Sequence, residues 1–158
     1  MKLRDYALIG GLLVVVIVLF IFITFFGDKP GSIAKVYQAN QVVLEVDFIK
    51  KEVVVYPQIG HETYPKISTP VSNEGGDLAY IILGAYVIED QRTEVFIEID
   101  WDLNKIRIQR DDTPRQIGVS RDWYDGTGLP AISLPSEVFI IFEKEVPYDG
   151  IDGNVWEI

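Results

Sequence analysis

One run limits everything else this chain can be: ALIGGLLVVVIVLFIFITFF opens at Ala7, closes at Phe26, and carries no charge in twenty residues. At ~1.5 Å rise per residue, such a helix is about 30 Å long, the thickness of a bilayer's hydrocarbon core. The apolar stretch of a signal peptide is shorter, ~7 to 15 residues, so the run is read as a retained membrane span. A cleaved reading has one foothold, the small residues of Ser32-Ile33-Ala34 after a basic start. Lys2 and Arg4 precede the run, whereas Asp28 and Lys29 nearly cancel after it, which keeps residues 1–6 in the cytoplasm and sends the rest outside. The protein is expected at the cell membrane as a single-pass chain, in contact with lipid from Ala7 to Phe26.

The chain beyond the span is acidic. Setting Lys2, Arg4 and Asp5 aside leaves 12 basic against 23 acidic residues, a net charge of −11. Nucleic acid is a poor partner for such a surface, because phosphate binding draws on Lys and Arg. No cysteine is present, which removes disulfides, thiolate nucleophiles and thiolate metal sites. His61 is the one histidine, set in a Gly-His-Glu-Thr loop with no Gly-x-Ser-x-Gly motif anywhere, so a catalytic role is not expected. No cofactor is expected either.

From residue 33 the chain becomes short runs of Val, Ile, Phe and Tyr broken by Gly, Pro, Asn and Asp, the signature of an all-β domain. Strands are expected at 34–38, 42–48, 52–56, 79–89, 94–100, 105–110, 117–119 and 137–143. Alternation places Val95, Ile97 and Ile99 on an apolar face and turns Glu94, Glu98 and Asp100 to water. Asp102-Leu-Asn104 reverses the chain, and Ile106 and Ile108 continue the same apolar face. Residues 57–76, rich in Pro, Gly, Ser and Asn, read as one long surface loop. Asp111, Asp112 and Asp125 are expected to pair with Arg110, Arg115 and Arg121 on a solvated face.

From Asn104 to Phe142 the sequence is NKIRIQRDDTPRQIGVSRDWYDGTGLPAISLPSEVFIIF, which resembles the NusG domain II family in its stand-alone, membrane-anchored form. The order carries the resemblance: a hairpin strand, Asp112-Thr-Pro114, Ile117-Gly-Val119, the aromatic turn around Trp123 and Gly128, Leu134-Pro135, then a Val/Ile strand. Val36-Tyr37 and the turn at Asn40 are similar to the family's opening strands. The resemblance implies a small β-barrel-like or sandwich-like module, placed at 33–146; residues 50–92 or thereabouts are an enlargement that the family does not explain, and 147–158 lie beyond the last expected strand as a tail. Some membrane-anchored relatives are associated with cell-envelope electron transfer. Where family members carry cysteines this chain has Thr113, Gly118 and Ser133, so no redox role carries over.

Two groups of side chains remain as candidate sites. Asp149, Asp152, Asn154 and Glu157 offer oxygens to a calcium ion but lack the EF-hand ladder, and Asp-Gly pairs are ordinary turn formers. Trp101, Arg121, Trp123, Tyr124 and Trp156 fall at expected turns or ends; they are either a plug closing one end of the β module or an interface for a partner. The leading expectation is a non-enzymatic, membrane-anchored extracytoplasmic interaction module, an accessory subunit of a membrane complex. The alternative is a carbohydrate or cell-wall binding domain using the same aromatics.

Overall fold

The computed structural model describes residues 3–26 and 30–144. The calcium candidates Asp149, Asp152, Asn154 and Glu157, and Trp156 of the aromatic set, lie outside the described residues. The chain opens with α1, Leu3–Phe26, one unbroken helix. Its described apolar side chains stand exposed on all sides, from 48% at Ile17 and Ile21 to 74% at Leu8. Among the described residues no helix is long and apolar enough to cross a membrane; the side chains described without a break in α1 run only from Leu8 to Phe22.

Among the described residues beyond α1, nine antiparallel strands form two sheets. The first takes β1 (Pro30–Gln38), β2 (Gln41–Asp47), β3 (Glu52–Val55), β8 (Ala131–Ser133) and β9 (Val138–Lys144), in the order β3-β2-β1-β9-β8. The second takes β4 (Lys66–Ser68), β5 (Leu78–Ile88), β6 (Gln91–Asp100) and β7 (Lys105–Asp111), in that order. Their apolar faces meet in a single core. Ala34, Val36, Leu44 and Ile140 of the first sheet share it with Ile82, Ile97, Ile99, Ile106 and Ile108 of the second, all fully buried. That is the arrangement alternating β-branched strands require, because one face of each sheet must leave water.

Several expectations are corrected. Residues 117–119 form no strand: Ile117–Ser120 is a 3-10 turn entered through Gln116 in the left-handed region, φ 44°. Residues 57–76 are not a free loop. They contain β4, and buried Gln58 docks on β5 like one more strand residue, its Nε2 donating to Leu83 O and its Oε1 accepting from Leu83 N, both at 2.9 Å. β8, too short and too little alternating to stand out in sequence, completes the first sheet. Most consequential, Glu98 and Asp100 do not face water: they are 0% and 4% exposed.

Candidate functional site

Glu98 of β6 and Arg107 of β7 are direct cross-strand partners on the face opposite the core. That face would be wet in a bare sheet. Here residues 70–76 fold over it. Glu98 Oε1 accepts from Val71 N at 2.8 Å and Ser72 N at 2.9 Å, and Oε2 accepts from Ser72 Oγ at 2.8 Å. Arg107 adds Nε and Nη2 at 3.2 and 2.9 Å. The glycines of this loop have a steric reason to be there: a Cβ on Gly76 would sit 2.9 Å from Glu98 Oε2.

The rest of the guanidinium is also engaged. Nη1 reaches Glu74 at 3.0 Å and Asp122 at 3.5 Å, Nη2 also donates to Ser72 Oγ, and the plane lies 4.3 Å from the centre of the Trp123 ring. Burial works against the charge of Arg107, but hydrogen bonds to Glu98 and Glu74 outweigh it and its pKa is raised. Glu74 and Asp122 themselves are mostly exposed and rim a hollow of about 330 Å³ floored by Arg107, Ile108 and Gln109. Gln109 Oε1 is buried there without a hydrogen-bond partner among the described residues. With every arm of Arg107 occupied, an incoming anion would have to displace Glu74 or Asp122. The rim therefore accepts hydrogen bonds rather than donating them.

A second polar cluster lies inside the sandwich. A bulge at Gln109 shifts the β6–β7 register between Phe96 and Ile97, so that Asp111 faces Val95 and turns into the core. Asp111 is fully buried. Its Oδ1 accepts from Ser136 Oγ at 2.9 Å and from Thr113 N at 3.1 Å, and Ser133 Oγ donates to Oδ2. The expected pairing of Asp111 with an arginine is thus corrected: among the described residues no cation lies within ion-pair distance of it. Arg110 pairs with Asp112 instead, at 2.8 Å. Asp125 takes the Thr127 hydroxyl at 2.5 Å and the Thr127 N–H at 3.0 Å, which hold its carboxyl below the usual range.

The aromatics divide. Trp101, Phe48, Phe142 and Tyr124 form a row across one end of the core, with neighbouring ring centroids 5.6, 5.6 and 5.3 Å apart. Tyr124, placed in the interface set from sequence, is 4% exposed and offers almost nothing to a partner, and burial raises its hydroxyl pKa. Arg121 lies over the Tyr124 ring and donates to Thr127 O at 3.1 Å. Trp123 stays partly exposed beside the acidic rim. His61 sits apart, on a shallow hollow with Tyr64, Arg92 and Glu94. Among the described residues no group of three or more His, Cys, Asp or Glu side chains is placed to hold a metal ion.

No protein-family model and no curated protein matches this chain. Two solved structures of the Lin0431 protein from Listeria innocua are similar to it. The crystal structure is 21% identical, with a TM-score of 0.45 over 72% of this chain and 97% of that one. The solution structure is 19% identical, with a TM-score of 0.42 over 84% of this chain and 87% of that one.

Proposed function

We propose that this chain is a membrane-anchored, extracytoplasmic interaction module without catalytic activity, an accessory subunit whose β domain braces the outer face of a membrane complex. The observation that carries it is α1: an unbroken helical backbone from Leu3 to Phe26, apolar on every side from Leu8 to Phe22, in a chain whose β domain is folded and acidic. A helix apolar all round is unsuited to water unless something covers it, and an uncharged span has no groups for moving ions or protons. Retention of the helix is supported by the position of Ala34. It is fully buried in β1, the central strand of the first sheet, and cleavage there would strip five residues from that strand.

The NusG domain II resemblance gives further support. Of the three positions where that family carries cysteines, 118 and 133 are neighbours in space: a Cβ on Gly118 would lie 2.8 Å from Ser133 Cβ. Catalysis has little to work with, since Glu98 is locked in an ion pair and Asp111 is sealed among serines. One surface open to a partner is the rim of Glu74, Asp122 and partly exposed Trp123.

The test is mild-detergent extraction of the tagged full-length protein, followed by native-size analysis and mass spectrometry, with wild type and Trp123→Ala in parallel. Stoichiometric membrane subunits are expected with wild type. Trp123→Ala should weaken that association by about 2 kcal/mol while the domain stays folded. A monodisperse protein of its own mass in both preparations would overturn the proposal.

A further inference from the structure

Each sheet ends one of its hairpins with the same device, and the two tips lie side by side. Between β2 and β3 the paired residues Asp47 and Glu52 close residues 48–51; between β6 and β7 the pair Asp100 and Lys105 closes residues 101–104. In the first, Asp47 Oδ1 accepts from Ile49 N and Lys50 N, both at 3.0 Å. In the second, Asp100 Oδ1 accepts from Asp102 N at 3.0 Å and Leu103 N at 2.9 Å. Both loops leave through a left-handed residue, Lys51 at φ 54° and Asn104 at φ 53°. The residue after each aspartate is aromatic and turns inward, and Phe48 and Trp101 meet edge to face. The aliphatic residue turns outward: Ile49 is 75% and Leu103 60% exposed.

A single exposed Leu is ordinary. Two aliphatic side chains, held out by matching rigid turns from opposite sheets and bordering one hollow of about 370 Å³, are a built feature. The same hollow is lined by Gly31 and Ser32, at the very start of β1, and Phe48 N donates to Ser32 O at 3.0 Å. This is therefore the end of the domain that α1 enters. Residues 27–29 are all that separate Phe26 from Pro30, so at ~3.6 Å per residue the two α-carbons are no more than about 14 Å apart. If Phe26 ends a span, that reach covers little more than one headgroup layer.

We propose that Ile49 and Leu103 seat this end of the domain in the headgroup–acyl boundary of the bilayer, so that lipid is the occupant of the exposed apolar tips. The inference rests on the membrane reading of α1 and goes beyond it, since an anchored domain could equally hang free on its linker. Exposed Lys50 and Lys51 follow Ile49, Lys50 reaching Asp47 at 3.5 Å, and give the first tip a cationic edge for lipid phosphates on an otherwise acidic domain, while Asp102 on the second tip leaves that contact to its neighbour Leu103.

The chain has no cysteine, so single-cysteine labelling is clean. The full-length protein is reconstituted into phosphatidylcholine–phosphatidylglycerol vesicles with an environment-sensitive fluorophore at Ile49→Cys, Leu103→Cys, Val15→Cys in α1 or Val87→Cys. Val87 is 52% exposed near the β5–β6 turn, about 30 Å up the strand from Leu78. Quenching is then read with lipids carrying a nitroxide near the headgroup or near the chain end. Labels at 49 and 103 are expected to be quenched by the shallow nitroxide at least about threefold more than at 87, and the label at 15 by the deep one. Equal quenching at 49, 103 and 87, with position 15 still quenched, overturns the docked orientation while α1 remains a span. No quenching at 15 overturns the span and the inference with it. Labels at 49 and 103 shielded from iodide yet untouched by nitroxide lipids would mean that a second copy covers the tips, which also overturns the proposal.

Discussion

Two fully buried carboxyl groups of the second sheet, Glu98 and Asp111, solve the same problem in different ways. Glu98, on the outer face, is neutralised by a cross-strand arginine and wrapped by a loop. Asp111, on the core face, has two serine hydroxyls from the far side of the sandwich and the nearby backbone N–H of Thr113, with no cation beside it among the described residues. An ion pair built between neighbouring strands serves its own sheet. A carboxyl group held by Ser133 and Ser136 ties one sheet to the other. The contrast teaches that a buried acid in a small sandwich can be either a local patch or a cross-sheet fastening, and that the donors, not the acid, decide which.

The sharpest way to break the comparison is to remove the cation. Arg107→Ala leaves Glu98 buried without its partner and is expected to cost about 3–5 kcal/mol in urea unfolding of the detergent-solubilised protein, followed by tryptophan fluorescence. Replacing both members by Met and Leu should recover most of that loss, because an apolar pair carries no desolvation cost.

Amide substitutions then separate the two designs. Glu98→Gln leaves Arg107 buried without its closest counter-charge, for a loss of about 2 kcal/mol. Asp111→Asn keeps an acceptor for Thr113 N and Ser136 and gives Ser133 a donor in place of an acceptor, so it should cost under about 1 kcal/mol. Equal losses in the same unfolding assay would show that the two sites do not differ in the way proposed.

The smallest effect is in pH. Asp47 and Asp125, in turns at the α1 end, are held below their usual 3.8, Asp47 chiefly by the Lys50 and Ile49 N–H groups and Asp125 by Thr127. A carboxyl lowered in the folded state adds stability that is present above its unfolded value and lost as pH falls through its folded one. Tyr80 and Tyr124 are raised above 10.0 by burial, and their contribution is present below that value and lost as pH rises through the folded one. The share of stability from these four groups is thus level from about pH 4 to 10 and falls at both ends. Asp125→Asn should remove part of the acid limb, while loss of the whole acid limb in that variant would assign it to the wrong group.

Much of the fold was legible. The apolar run from Ala7 to Phe26 is helical throughout, and the alternation of Val95, Ile97 and Ile99 with Ile106 and Ile108 named the core face of the second sheet. The same alternation misassigned Glu98 and Asp100, because period-2 patterning says which side chains share a face but not what else covers that face. Of the candidate site, Trp123 and Arg121 were visible as turn residues; Glu98, Arg107 and Glu74 were not, since a salt-bridging Glu and Arg on alternating strands look like any solvated pair. The one available signal was Gly75-Gly76, which marked a loop pressed close against something.

What the sequence determined by itself is local in origin: an uncharged run long enough for one helix, and strand periodicity that sorts apolar from polar side chains within a few residues. What only the tertiary structure decided is the fate of the polar ones. Val71 and Ser72 cross 26 or 27 residues of chain to reach Glu98, Ser136 comes from 25 away to meet Asp111, and one bulged residue at Gln109 turns that aspartate inward. Such partners are chosen by how the loop folds over the second sheet and how the two sheets pack, because a buried polar group must find its donors wherever the fold brings them, and that distance is not written in local pattern.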